Sequence, residues 1–216
     1  MKAVASFLSW VFLPLFTPMY ALLIVFFVPA QPKSFYLLDS LFHYPAQAKT
    51  LYLLLFLVFI VLAPGMSLIV LRLNNSISSL SLPTKEERRT PITIMIFYTA
   101  VLYGFMIYQD ADALVPSSLK GMALGGFIGS IIAFFINFKL KISLHGLGVG
   151  ALIGFIYVYF MGMESFSIWV LLLLILLGSV VLSARIFLKA HDLKQILLGV
   201  LIGFGTQYFC VYFYPF

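Results

Sequence analysis

Charge is what this sequence has least of. Only 9% of its 216 residues are Asp, Glu, Lys or Arg, where a soluble domain carries roughly 25%. With 63% hydrophobic residues and a mean hydropathy of +1.12, that shortage excludes an ordinary soluble domain. A single cysteine, Cys210, excludes a disulfide framework or a cysteine metal site within one chain. Seven acidic residues stand against thirteen basic ones. In so apolar a chain the resulting net charge of +6 reports loop orientation and lipid headgroup contact, not nucleic-acid binding. No internal repeat is visible. A cleaved leader is not expected, because residues 1–29 lack a short apolar core followed by a small-residue cleavage site. They read as a retained first helix, kinked by Pro14 and Pro18.

What the chain does have is long apolar runs. About 20 such residues cross the hydrocarbon core as a helix. The runs near 6–28, 50–71, 92–108, 119–138, 144–161, 166–182 and 193–214 predict an all-α, polytopic transmembrane helix bundle of six or seven membrane helices, forming one membrane domain over 1–216. Pro64-Gly65 is expected to bend the second helix, and 35–38 with 41–44 to lie at the membrane surface. Thr84 and Glu87 fit a capping box. Gly121, Gly125 and Gly129, then Gly146, Gly150 and Gly154, then Gly199 and Gly203 recur at four-residue spacing, the pattern that lets membrane helices approach closely.

Seven crossings would put the N-terminus and the links after helices two, four and six on one side. That side would carry ten of the thirteen basic residues. Positive-inside bias assigns it to the cytoplasm. A phosphate site is basic wherever it faces, however, and without Lys85, Arg88, Arg89 and Arg185 the count is six against three. Charge alone leaves the orientation open.

The three links on that side hold the polar clusters. In 182–199, Arg185, His191 and Gln195 lie between two apolar runs, a costly place for polar groups without a task. On a helix starting near His191, Gln195 would share its face and could fix the tautomer of the imidazole. His191 can serve as a nucleophile toward phosphorus or as a general base. Arg185 offers a planar fork of donors for phosphate oxygens. Residues 139–146 place Ser143 at a helix N-cap, with His145 just inside, where free N–H groups favour anions. Residues 85–91 carry Lys85, Arg88 and Arg89. Each cluster taken singly also fits plain interfacial charge. Asp110 and Asp112 are a weaker candidate, for a cation.

In order, the chain runs basic cluster, Ser-x-His, then Arg-x5-His-x3-Gln-x3-Gly. This resembles the type 2 phosphatidic-acid phosphatase superfamily, the membrane branch of the acid phosphatase and vanadium haloperoxidase fold, over roughly 85–203. Residues 1–72, two N-terminal membrane helices, lie outside the motif region. The family shows Lys-x6-Arg-Pro, Pro-Ser-Gly-His and Ser-Arg-x5-His-x3-Asp. Here the first motif is compressed, Leu144 stands for glycine, Ala184 separates Ser183 from Arg185, and Gln195 replaces the acidic residue. Asp192, next to His191, would point about 100° away on a helix.

The resemblance implies an integral-membrane lipid phosphate phosphatase needing no metal or other cofactor. His191 would form a phosphohistidine and His145 would protonate the leaving oxygen. Lys85, Arg88 or Arg89, Ser143 and Arg185 would hold the phosphate. Its partners would be membrane lipids and its setting the bacterial inner (plasma) membrane. The alternative is a non-catalytic relative that binds a phospholipid headgroup. Oligomeric state is not indicated.

Overall fold

A computed structural model describes residues 1–33, 40–110 and 115–214. Among them are seven helical segments long and apolar enough to cross a membrane. The first runs Lys2–Phe27 and is broken where the prolines demand it: α1 (Lys2–Val11) and α2 (Thr17–Phe27) are joined by a 3-10 turn at Pro14–Phe16. Pro14 and Pro18 each sit at the start of an element, where a missing N–H costs nothing. The Tyr20 hydroxyl donates to the Val11 carbonyl at 2.6 Å, satisfying the broken end of α1.

The second span comprises α3 (Ala46–Phe56), a π-helical stretch Leu57–Leu62 and α4 (Ala63–Leu73). The bend expected at Pro64 takes this form. Proline cannot bond the carbonyl four residues back and its ring crowds it, and the chain answers with one wider turn. The remaining spans are α5 (Arg89–Tyr108), α6 (Ser117–Asn137), α7 (Leu144–Met161), α8 (Ile168–Phe187) and α9 (Leu193–Tyr212). The sixth runs five residues past its expected end, so Arg185 stands in the last turn of α8, where a cation suits the helix dipole.

The segment α7 is the most enclosed, 67% buried over its apolar window. It packs against α9 through the glycines. A methyl at Gly146 would lie 2.7 Å from the Ile196 carbonyl, one at Gly154 2.7 Å from that of Phe204, and one at Gly199 2.5 Å from that of Ser143. Their facing backbones leave no room for side chains, the close approach their spacing predicts. Gly121 does the same between α6 and α9, and Gly125 makes room there for the Gln207 side chain. Aliphatic side chains such as Leu172, Leu173 and Leu176 cover the outside of α8, the surface a lipid solvent allows.

The bundle has two distinct ends. At one, β1 (Gln31–Pro32) pairs antiparallel with β2 (Met163–Ser165). There Lys33 donates to the Met161 carbonyl at 2.9 Å, Lys49 to those of Phe26 and Phe42 at 2.8 and 2.6 Å, and Lys120 pairs with Asp110. Asp110 is thus engaged within the fold, with Val115 N–H on its other oxygen; Asp112 lies outside the described residues. So do residues 35–38, while Leu41–His43 form a 3-10 turn. At the other end, the links after the second, fourth and sixth spans converge.

A cationic histidine site at the mouth of a membrane cavity

Arg88 holds this end together. Its guanidinium, 3% exposed, reaches one group in each of three links: Nε donates to the Leu82 carbonyl at 3.0 Å, Nη1 to that of Ile142 at 2.5 Å, and Nη2 lies 3.2 Å from His191 Nε2. The crossing count required these links to share a side; this one side chain joins them. Lys141 adds a strand to the knot, donating to the Ala190 carbonyl at 3.2 Å. Asn137, fully buried, donates to the Lys85 carbonyl at 2.6 Å and fixes the approach to Arg88.

His191 sits two residues past a Schellman turn. Lys189 takes a left-handed φ of 54°, its N–H bonds Ile186 O at 2.8 Å, and Ala190 N–H bonds Arg185 O at 3.0 Å. This folds the chain back over the end of α8 and buries the imidazole, 7% exposed. The helix does not begin near His191 as expected. Asp192 is the N-cap in extended conformation (ψ 169°), and its carboxylate accepts from Gln195 N–H at 2.8 Å. The 100° expected between Asp192 and its neighbours therefore does not apply. Its second oxygen accepts from Gln195 Nε2 at 2.9 Å, and Gln195 Oε1 lies 2.7 Å from His191 Nδ1. The pattern Asp-x-x-Gln before an apolar run is a capping signature that could have located this cap.

Ser143 is the N-cap of α7, accepting from Gly146 N–H at 3.1 Å; its own N–H donates to the Gln195 carbonyl at 3.3 Å. Its hydroxyl is thereby committed to capping, and the residue is fully buried. His145 lines the same cavity as Arg88, Arg185 and His191. Its Nε2 donates to the backbone carbonyl of Ser9 in α1 at 3.0 Å, a partner no motif foretold.

Lys85 and Arg89 are not brought to the site. Lys85 Nζ caps the Phe138 carbonyl at 3.3 Å, and the Arg89 guanidinium stacks 4.8 Å from the Phe138 ring. Of three basic residues within one turn, only Arg88 faces inward. The Thr84 hydroxyl accepts from Glu87 N–H at 3.3 Å, but Glu87 Oε1 turns to Ser78 N–H and the helix starts only at Arg89.

The electrostatics are one-sided. Among the described residues the one ion pair is Lys120–Asp110, at the opposite end, so neither Arg88 nor Arg185 has an acidic partner there. Arg185 Nε is buried with no hydrogen-bond partner. Burial, and then the nearby Arg185, lower the Arg88 guanidinium to about 10. Burial, then Arg88 and Arg185, also lower the Lys141 ammonium. Burial is the first cause holding His191 down to about 4, and Arg88, Lys141 and Arg185 add to it against the bond from Gln195. His191 is therefore neutral at physiological pH.

A cavity of about 430 Å³ opens from this cluster into the bundle. Its walls include Trp10, Leu13, Phe56 and Ile60 from the first two spans, and Gln207 lines its interior. Fold and site together define a polytopic helical membrane protein with a buried cationic cluster at one end of an apolar cavity. No family model, no curated protein and no solved structure matches the chain.

Proposed function

We propose that the chain is an integral-membrane lipid phosphate phosphatase, hydrolysing a phosphomonoester or pyrophosphate on a lipid through a phosphohistidine at His191. The observation that carries the reading is the pair Arg88 and Arg185, cations without acidic partners among the described residues, facing a neutral histidine at the mouth of an apolar cavity. Leaving a buried charge such as Arg88 without a counter-charge costs several kcal/mol, a cost that a bound dianion offsets. The cavity beyond gives an acyl or prenyl chain an apolar environment.

The reaction follows from the groups present. Arg88 and Arg185 hold the non-bridging oxygens. The His191 Nε2 lone pair attacks phosphorus and the bond from phosphorus to the lipid oxygen breaks. His145, its Nε2–H held by the Ser9 carbonyl, enters this step as the imidazolium, gives its Nδ1 proton to that oxygen and is left neutral. Water then attacks the phosphohistidine, His145 takes its proton, and inorganic phosphate leaves. Catalysis of this kind is positioning and charge stabilisation. Candidate substrates are phosphatidic acid, phosphatidylglycerol phosphate, a polyprenyl pyrophosphate and a phosphorylated glycolipid, in a bacterial inner (plasma) membrane.

The test is phosphate release by the purified protein from that panel of lipids, in EDTA. Release that persists in EDTA and vanishes in His191→Ala is the expected result. The second reading, a non-catalytic binder of phospholipid headgroups, is favoured by one observation: a neutral amide, Gln195, contacts His191 where the resembling family has an acid. Lipid phosphate binding that depends on Arg88 and Arg185, with no release from any substrate, would establish it.

A further inference from the structure

The amide of Gln195 can adopt only one orientation. Turned over, it would set its oxygen against the Asp192 carboxylate, two acceptors 2.9 Å apart with no proton between them. Nε2 must therefore face Asp192 and Oε1 must face His191 Nδ1, at 2.7 Å. A carbonyl oxygen only accepts, so Nδ1 carries the proton. Nε2 keeps its lone pair and accepts from Arg88 Nη2. Three side chains thus form a directed chain, from Asp192 through Gln195 to His191.

We propose that Asp192 is a positioning residue that sets the tautomer of His191 through Gln195, supplying one side chain further out the negative charge that Gln195 itself lacks. The carboxylate also accepts the backbone N–H of Gln195, so capping α9 and orienting the amide are done by the two oxygens of one group. Asp192 is exposed, so its charge is held at little desolvation cost. The amide transmits orientation directly; as positive charge develops on the imidazole, the chain Asp192–Gln195 stabilises it by polarisation. The catalytic consequence rests on the phosphatase reading. The tautomer does not.

The two oxygens of Asp192 can be separated by substitution. In Asp192→Asn, Oδ1 still caps the helix, since Asn is as good an N-cap as Asp. Its Nδ2 then faces Gln195, which turns over to present Oε1 to it and NH₂ to His191. The imidazole proton moves to Nε2, the lone pair there is lost, and with it the bond from Arg88 Nη2, which must turn away. In Asp192→Asn with Gln195→Glu, the carboxylate accepts from both neighbours and the Nδ1–H form returns.

The experiment is ¹⁵N NMR of the full chain in detergent, histidine-labelled, with His191 assigned by substitution. The expected results are Nδ1–H in the wild type, Nε2–H in Asp192→Asn with the Arg88–His191 bond lost, and Nδ1–H restored in the double variant. Turnover on lipid phosphate should fall by up to about 10⁴-fold in the single variant, the scale of a wrong tautomer in the analogous Ser-His-Asp triad, and recover in the double. An Nε2–H wild type, or a spectrum of His191 unmoved by Asp192→Asn, overturns the proposal. A tautomer switch in a protein that releases no phosphate would leave the proposal standing and sink the phosphatase reading. Turnover without a switch would do the reverse.

Discussion

A single methyl at Gly199 should damage stability and site together. Gly199 lies where α9 crosses the start of α7, and an added Cβ would be 2.5 Å from the Ser143 carbonyl and 3.0 Å from the Leu147 nitrogen. Both are backbone atoms and cannot rotate away. To reach even 3.0 Å from the carbonyl, the helices must part by 0.5 Å or more. Overpacking of this kind costs about 1–3 kcal/mol.

The same displacement acts on chemistry. The bond from Ser143 N–H to Gln195 O is already 3.3 Å long, so this movement breaks it. His145 then shifts with α7 while His191 and Gln195 stay with α9. A misplacement of about 1 Å can cost 10²-fold in rate, and half of that should cost roughly 10-fold. The comparison is Gly205→Ala in the same helix, where nothing lies within 4 Å of the added Cβ. Replacing that glycine should be neutral or gain up to about 1 kcal/mol of helix propensity. Thermal unfolding in detergent reads the first effect, and the rate of phosphate release from a lipid phosphate the second. If Gly199→Ala melts and turns over like Gly205→Ala, the α7–α9 contact does not position the site.

Three further outcomes follow from the cations and the histidine. An NMR titration of His191 should give a midpoint near 4. Its folded value lies below the unfolded one, so the stability tied to it is complete above about 6.5 and falls as pH drops toward 4; unfolding midpoints across that window check the sign. In Arg185→Gln, loss of a charged hydrogen-bond donor worth about 1.5–3 kcal/mol should weaken phosphate binding about 10- to 150-fold by titration calorimetry. Its melting temperature should not fall, because Arg185 Nε has no partner to lose. Arg88→Lys keeps the charge but cannot span the Leu82 and Ile142 carbonyls and His191 at once. It should therefore lose stability as well as anion affinity, measured in the same two assays.

The spans were legible because hydrocarbon thickness imposes a length on apolar runs, and counting them brought three distant links to one end. Arg185, His191 and Gln195 are brought near one another for a local reason: a Schellman turn and an N-cap fix the five residues between two helices. Which of Lys85, Arg88 and Arg89 turns inward was not legible. They occupy one turn, and the choice falls to Asn137 and the carbonyls of Leu82 and Ile142, all set by tertiary packing. Asp192 was misjudged by counting it into a helix starting near His191, although the apolar run begins at Leu193, as α9 does, which makes Asp192 the cap. Lys141, read only as a basic link, helps depress His191.

His145 is held by the main-chain oxygen of residue 9, and every amino acid carries that atom. The contact is therefore written in the path of α1 and not in the letter at position 9, and replacing Ser9 by Ala leaves its partner in place. Removing one residue from between Ser9 and Pro14 is another matter. It turns the Ser9 carbonyl about 100° around the helix axis relative to the turn that Pro14 anchors. The first span should accept many substitutions quietly and tolerate almost no change of length, a signature that a library of single-residue deletions would reveal and a library of point variants would miss.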